Sequence, residues 1–144
     1  MRSTTAGRTL AFQTLYQHDL RGEDFRVEME DFLRAAAKSE DARAFAEELL
    51  RGCLAFRDEL DARIAEAAEH WDVSRMAAVD RAILRLGTYE LLHRPDLPPK
   101  VAIDEAIRLA KKFSGAESYA FVNGILDRIM ASCKPSDAAS EETP

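Results

Sequence analysis

Several residues of this chain have types and spacings that can do chemistry, and what they suggest is binding. An N-terminal segment offers Arg8, Gln13 and Tyr16, and a C-terminal one offers Tyr119 and Phe121 just before Asn123-Gly124. Flat rings beside cationic and amide donors suit single-stranded RNA, whose bases stack on aromatics for about 1–3 kcal/mol each while arginine holds phosphates. An aromatic at helical spacing is more often a core residue, and both readings stand at this point. Asp104 and Glu105 are adjacent, so on a helix they point about 100° apart and cannot act as paired carboxylates. The simpler reading puts them at a helix N-terminus, where the dipole favours negative charge. Glu90 lies in an otherwise apolar run and reads as one half of a structural ion pair or hydrogen bond to a neighbouring helix.

Catalytic signatures are missing. The chain has no glycine-rich phosphate loop, no GxSxG, no HExxH and no metal-spaced cluster. Cys53 and Cys133 lie far apart with no CxxC spacing; they could form one disulfide, but read first as small buried apolar residues of a reducing compartment. His18, His70 and His93 stand singly near expected helix ends, where a histidine meets a C-terminal dipole or solvent. The expectation is therefore a binding protein, not an enzyme, with no metal and no cofactor.

The elements that must position these residues are helical. From Ala42 the apolar positions run Phe45, Ala46, Leu49, Leu50, Cys53 and Leu54, with Glu47, Glu48 and Arg51 on the other face. No stretch alternates with period two. The pattern predicts an all-α fold of about seven helices. They run from Thr4 to His18, Val27 to Ala37, Ser39 or Asp41 to Phe56, Glu59 to His70, Ser74 (as cap) to Leu92, Val101 to Phe113 and Ser118 to Ala131. Arg94-Pro95-Asp96-Leu97-Pro98-Pro99 forbids helix, because proline removes donors and restricts the residue before it. We expect one domain over 1–134 made of two packed helical-bundle halves, about 1–57 and 58–134, with Trp71 near their seam, read as a core residue ahead of a ligand-stacking one. Residues 135–144, small, polar and acidic, read as a disordered tail.

With 144 residues and 47% hydrophobic content, the chain can bury a core without disulfides or metals. No apolar run reaches the roughly 18 residues of a membrane span, and Met1–Leu20 lacks the apolar stretch of a signal peptide; the expected location is the cytoplasm. The net charge of −6 is unevenly spread. Residues 21–72 hold eight Lys/Arg against fifteen Asp/Glu, whereas 73–134 hold ten against seven. A basic surface is possible where the first helix meets the C-terminal half, and weak intrinsic affinity for RNA follows.

The blocks AFQTLYQHDL, WDVSRMAAVDRAILRLGTYELL, PPKVAIDEAIRLAKKFSG and FVNGILDRI resemble, in order and spacing, the NusB family of bacterial transcription antitermination factors. The resemblance spans residues 6 to 130. It implies an all-helical NusB-like fold and pairing with the ribosomal protein NusE. It also implies that the two proteins hold boxA RNA on elongating RNA polymerase, alongside other Nus factors, during ribosomal RNA synthesis. On this resemblance the RNA-contacting tyrosine of the LY motif is Tyr16 and the aromatic of FVNG is Phe121, with Asn123 beside it. The helix-one cations are Arg2 and Arg8, with Gln13 on the same helix. The partner-facing acid is Asp80, flanked by Arg75 and Arg81; without the family, Asp80 reads equally as an exposed ion pair with a nearby arginine.

Two departures lower the expected RNA affinity. Family members often begin with several arginines, and this chain keeps only Arg2 and Arg8; a basic residue before the FVNG phenylalanine is Ala120 here. Each missing cation removes a phosphate contact and its counterion release. The isolated protein should bind RNA weakly, with a shallow salt dependence, and lean on its basic partner. Two alternatives stay open: a detached rRNA-binding module assisting an RNA methyltransferase, or a helical homodimer with no RNA role. The RNA reading needs Tyr16 and Phe121 side by side on an outer surface.

Overall fold

A computed structural model describes the backbone of residues 2–69 and 71–142 and the side chains of 4–69 and 71–133. Seven α-helices account for most of it: α1 (Arg2–Arg21), α2 (Met29–Ala36), α3 (Glu40–Ala55), α4 (Arg57–Ala67), α5 (Ala78–His93), α6 (Pro99–Phe113) and α7 (Ala116–Glu142). Two 3₁₀ segments, Gly22–Glu28 and Val73–Arg75, link α1 to α2 and α4 to α5. No strand occurs among the described residues.

Local sequence explains most boundaries. Ser39 caps α3 by accepting from the Ala42 N–H at 3.0 Å, satisfying one of the donors a helix start leaves open. Pro99 opens α6, where its fixed φ and missing N–H cost nothing. Two expectations need correction. The cap before α5 is not Ser74; Asp72 accepts from the Ser74 N–H and starts the short 3₁₀ turn, and α5 begins only at Ala78. Asp104 and Glu105 lie beyond the first turn of α6, and Glu105 pairs with Arg108 at 3.1 Å instead of meeting the dipole. The segment between α1 and α2 is also ordered around Phe25, which is buried against Phe32 at 5.6 Å.

Helix α5 is the axis of the molecule. It packs on α1, α3, α4, α6 and α7, and every residue from Ala82 to Glu90 is buried. Around it α1 lies on α3, and α6 on α7. The fully buried Leu49, Leu60, Ile64, Ile83, Leu109, Ile125 and Leu126 come from α3 through α7, each stabilising the fold by about 1.5–3 kcal/mol. At Gly52 the ring of Tyr89 fills the space a Cβ would need, so α3 and α5 approach closely only because that position is glycine. The expected tail at 135–144 falls on residues whose side chains lie outside the described set.

Candidate nucleic-acid interface

The two polar ends of α5 explain how the surface is organised. At the C-terminal end Glu90 is 2% exposed and receives Arg8 of α1 through Nε at 3.0–3.1 Å, with Nη2 also 3.0 Å from Oε2. Burial pushes the Glu90 carboxyl up, while the Arg8 hydrogen bond and charge pull the other way. This is the interhelical ion pair expected of Glu90. It also corrects the reading of Arg8 as a phosphate ligand: at 4% exposure, its guanidinium is enclosed between α1 and α5.

At the N-terminal end, the adjacent residues Asp80 and Arg81 join two other helices to α5. Asp80, 8% exposed, accepts from Ser114 Oγ and Ser118 Oγ, both at 3.2 Å. Arg81 donates through Nε to Asp19 of α1 at 2.9 Å and through Nη1 to the carbonyls of Val73, Ser74 and Met76. Burial alone would raise the Asp19 carboxyl, but hydrogen bonds and charge from Arg81 and Arg85 overcome it and hold the group below the usual range. The reading of Asp80 as an exposed ion pair is corrected: it is largely buried and its carboxylate meets two serine hydroxyls rather than an arginine. Arg81 is likewise engaged internally, and of that set only Arg75 is exposed.

Tyr16 precedes Asp19 by three residues and Phe121 follows Ser118 by three, so each ring sits one helical turn from a clamped residue. The clamp thereby sets α1 and α7 at the level of the two rings. Both rings are half-buried, and their ring neighbours are others: Tyr16 tilts against Phe12 at 6.3 Å, and Phe121 meets the edge of Trp71 at 6.1 Å. Phe12 in turn packs on Phe113 at the end of α6, 4.9 Å away. Gln13 and Asn123 are also half-exposed. The side chain of Arg2 lies outside the described residues.

The cations that reach the surface here are ones the sequence reading passed over. Lys112 Nζ stands 5.4 Å from the Phe113 ring and Lys111 Nζ 4.8 Å from Tyr119, each contact worth about 0.5–1 kcal/mol at an exposed site. Beside them a groove of about 1050 Å³ runs between α1, the α2–α3 turn and the end of α6. Lys38, Arg108 and Lys112 line it with Gln13, Thr5 and Thr9, and no carboxylate does. In a chain of net charge −6 that is a local reversal of sign, suited to an anionic backbone. The signal was the basic last turn of the block RLAKKF, which dipole reasoning alone also explains. Trp71, expected in the core, is 55% exposed.

No group of His, Cys, Asp and Glu suited to a metal ion occurs among the described residues, and none of their helices is long and apolar enough to cross a membrane.

Comparison with known proteins identifies the family and the fold. A model of the NusB family matches residues 5–131. The transcription antitermination protein NusB of Geobacter sp. (strain M21) is 43% identical over 137 residues, covering 90% of this chain and 94% of that protein. Among solved structures, T. maritima NusB superposes with a TM-score of 0.82 at 38% identity, covering 93% of this chain and 94% of that one. A chain from a crystal structure of antitermination factors NusB and NusE in complex with double-stranded RNA gives 0.82 at 29% identity, covering 92% and 98%.

Proposed function

The chain belongs to the NusB family, and from that premise we propose that it is a cytoplasmic transcription antitermination factor. It holds boxA-type single-stranded RNA jointly with NusE on elongating RNA polymerase, during synthesis of ribosomal RNA. The observation that carries the reading is a carboxylate-free groove lined by Lys38, Arg108 and Lys112, in a molecule whose rings at Tyr16 and Phe121 are half-exposed. Rings supply stacking that tolerates any base, and lysines supply phosphate contacts. Gln13 and Asn123 add amide groups for base edges. Arg75, exposed beside the clamp, is the residue of the partner-facing set with an open side chain.

Because Arg8 is committed to Glu90, phosphate contact falls to Lys111, Lys112, Lys38 and the remaining capacity of Arg108. Affinity of the isolated chain is accordingly weak, and NusE supplies further positive charge.

Anisotropy of a labelled boxA-type RNA, single-stranded and as a duplex, with and without NusE, tests the reading. Binding should favour the single strand and strengthen with NusE. Tyr16→Asp and Phe121→Asp should lose it while keeping helical circular dichroism. Equal affinity for the duplex, or full binding by both variants, would overturn the stacking assignment; loss of helicity in both would make the rings structural.

A further inference from the structure

Trp71 is the only tryptophan of the chain and its most exposed aromatic ring. Two positions before it stands Glu69, the one non-glycine residue with positive φ (58°) among those described. Left-handed backbone costs an L-residue about 1–2 kcal/mol, and such strain gathers where a side chain must be aimed. Here the turn ends α4 and sends Trp71 outward, with its N–H donating to the Ala68 carbonyl at 3.2 Å. The ring does not fold back onto the core; it meets Phe121 edge-on at 64°.

The surface continues beyond it. Phe121, Gly124 and Arg128 follow one face of α7 at i, i+3 and i+7. Gly124 contributes no side chain, and the nearest atom to the space above it is Nη1 of Arg128, 4.0 Å from where a Cβ would stand. Arg128 is exposed, and its Nε is anchored on the Ala67 carbonyl at the end of α4. The result is a ring, an open floor and a guanidinium in sequence, continuous with Phe121. The nearest acid by sequence, Asp72, holds its carboxylate on the Ser74 N–H and hydroxyl at 2.8–3.0 Å.

We propose that Trp71 is a third stacking platform, which takes the unpaired nucleotide next to the one on Phe121, and that Arg128 holds the phosphate between them. This rests on the RNA reading above and extends its site by one nucleotide across the α4–α5 turn. An edge-on pair of rings presents two faces at a steep angle, so the strand turns between the two bases. A regular duplex cannot follow that turn, and the occupant is therefore single-stranded.

The test uses the full chain. Stacking on a lone tryptophan quenches its emission, so titrating a boxA-type single strand at low salt should quench Trp71, and the duplex should not. Measured by anisotropy with NusE present, Trp71→Ala should weaken binding about 5- to 150-fold, the range of one lost stack, and Trp71→Phe should restore most of it. Arg128→Gln should flatten the salt dependence by about 0.7 of a logarithmic slope unit. If Phe121→Asp abolishes binding while Trp71→Ala binds like the parent, this proposal fails and the RNA reading survives. If both variants bind like the parent, both fall.

Discussion

The face of α1 that meets α5 and the strip at the junction of α6 and α7 both carry positive charge over aromatic rings, and they do opposite things with it. Inside, the Arg8 guanidinium stacks over Phe45 at 5.4 Å with its nitrogens turned to Glu90. Outside, Lys111 and Lys112 stand over Tyr119 and Phe113 with the ammonium groups at the surface. The inner cation has its donors consumed by a buried carboxylate, and removing either partner would strand a charge. The outer ones keep theirs for solvent or a ligand. A cation counts toward nucleic-acid binding only when its donors are available, and sequence position alone does not reveal that.

The contrast can be broken from its strongest side first. Arg8→Ala leaves Glu90 buried and uncompensated and should cost about 3–5 kcal/mol of unfolding free energy by urea titration. Replacing both partners, Arg8→Met with Glu90→Leu, should recover most of that. Full stability of the single variant would show that the pair holds nothing. Next comes Asp19, whose folded-state carboxyl is depressed. Its stabilisation is therefore complete above the unfolded value near 3.9 and disappears as the pH falls through the lower folded value. Asp19→Asn should lose about 1.5–3 kcal/mol at neutral pH, as expected for hydrogen bonds to a charged group. It should also show a flatter stability profile below about pH 4; an unchanged acid limb would remove Asp19 from the clamp. On the outer surface, Lys112→Gln should cost no more than about 0.5–1 kcal/mol, the worth of its contact with Phe113, and reduce the salt slope of RNA binding by about 0.7, whereas a larger loss of stability with an unchanged salt slope would move Lys112 to the structural side. Smallest is Glu69→Gly, which relieves the left-handed residue and should stabilise the fold by up to about 1 kcal/mol. Destabilisation would mean that the Glu69 side chain supports the turn.

Much of the architecture was readable from residue order because helix α3 shows its apolar stripe openly and Ser39 marks its start. Helix α5 hid its central place: Val79, Ile83 and Leu86 mark it as a helix with one apolar face and Glu90 reads as half of an ion pair, but Asp80, Arg81 and Arg85 look like surface charges until their partners are known. Asp80 illustrates the limit. Its partners Ser114 and Ser118 are more than thirty positions away, and no local pattern connects a carboxylate to two distant hydroxyls. Tyr16 and Phe121 are assigned to RNA by motif resemblance rather than by periodicity, since a half-buried ring satisfies a core pattern as well as a binding one. Trp71 was placed in the core for a related reason: large aromatics are usually buried, and nothing local in the sequence marks this one as 55% exposed.

Residues 80 and 81 are consecutive, so the anchors they hold on α1 and α7 are tied across one peptide unit, about 3.8 Å between Cα atoms. Drift of either helix must first rupture hydrogen bonds made by that dipeptide. On the function proposed above, the dipeptide is a built-in gauge that a nucleic acid would meet ready-made, with little ordering cost on arrival. Loosening it at Ser118, one helical turn from Phe121, should chiefly shorten the residence time of a bound strand while the association rate stays nearly constant.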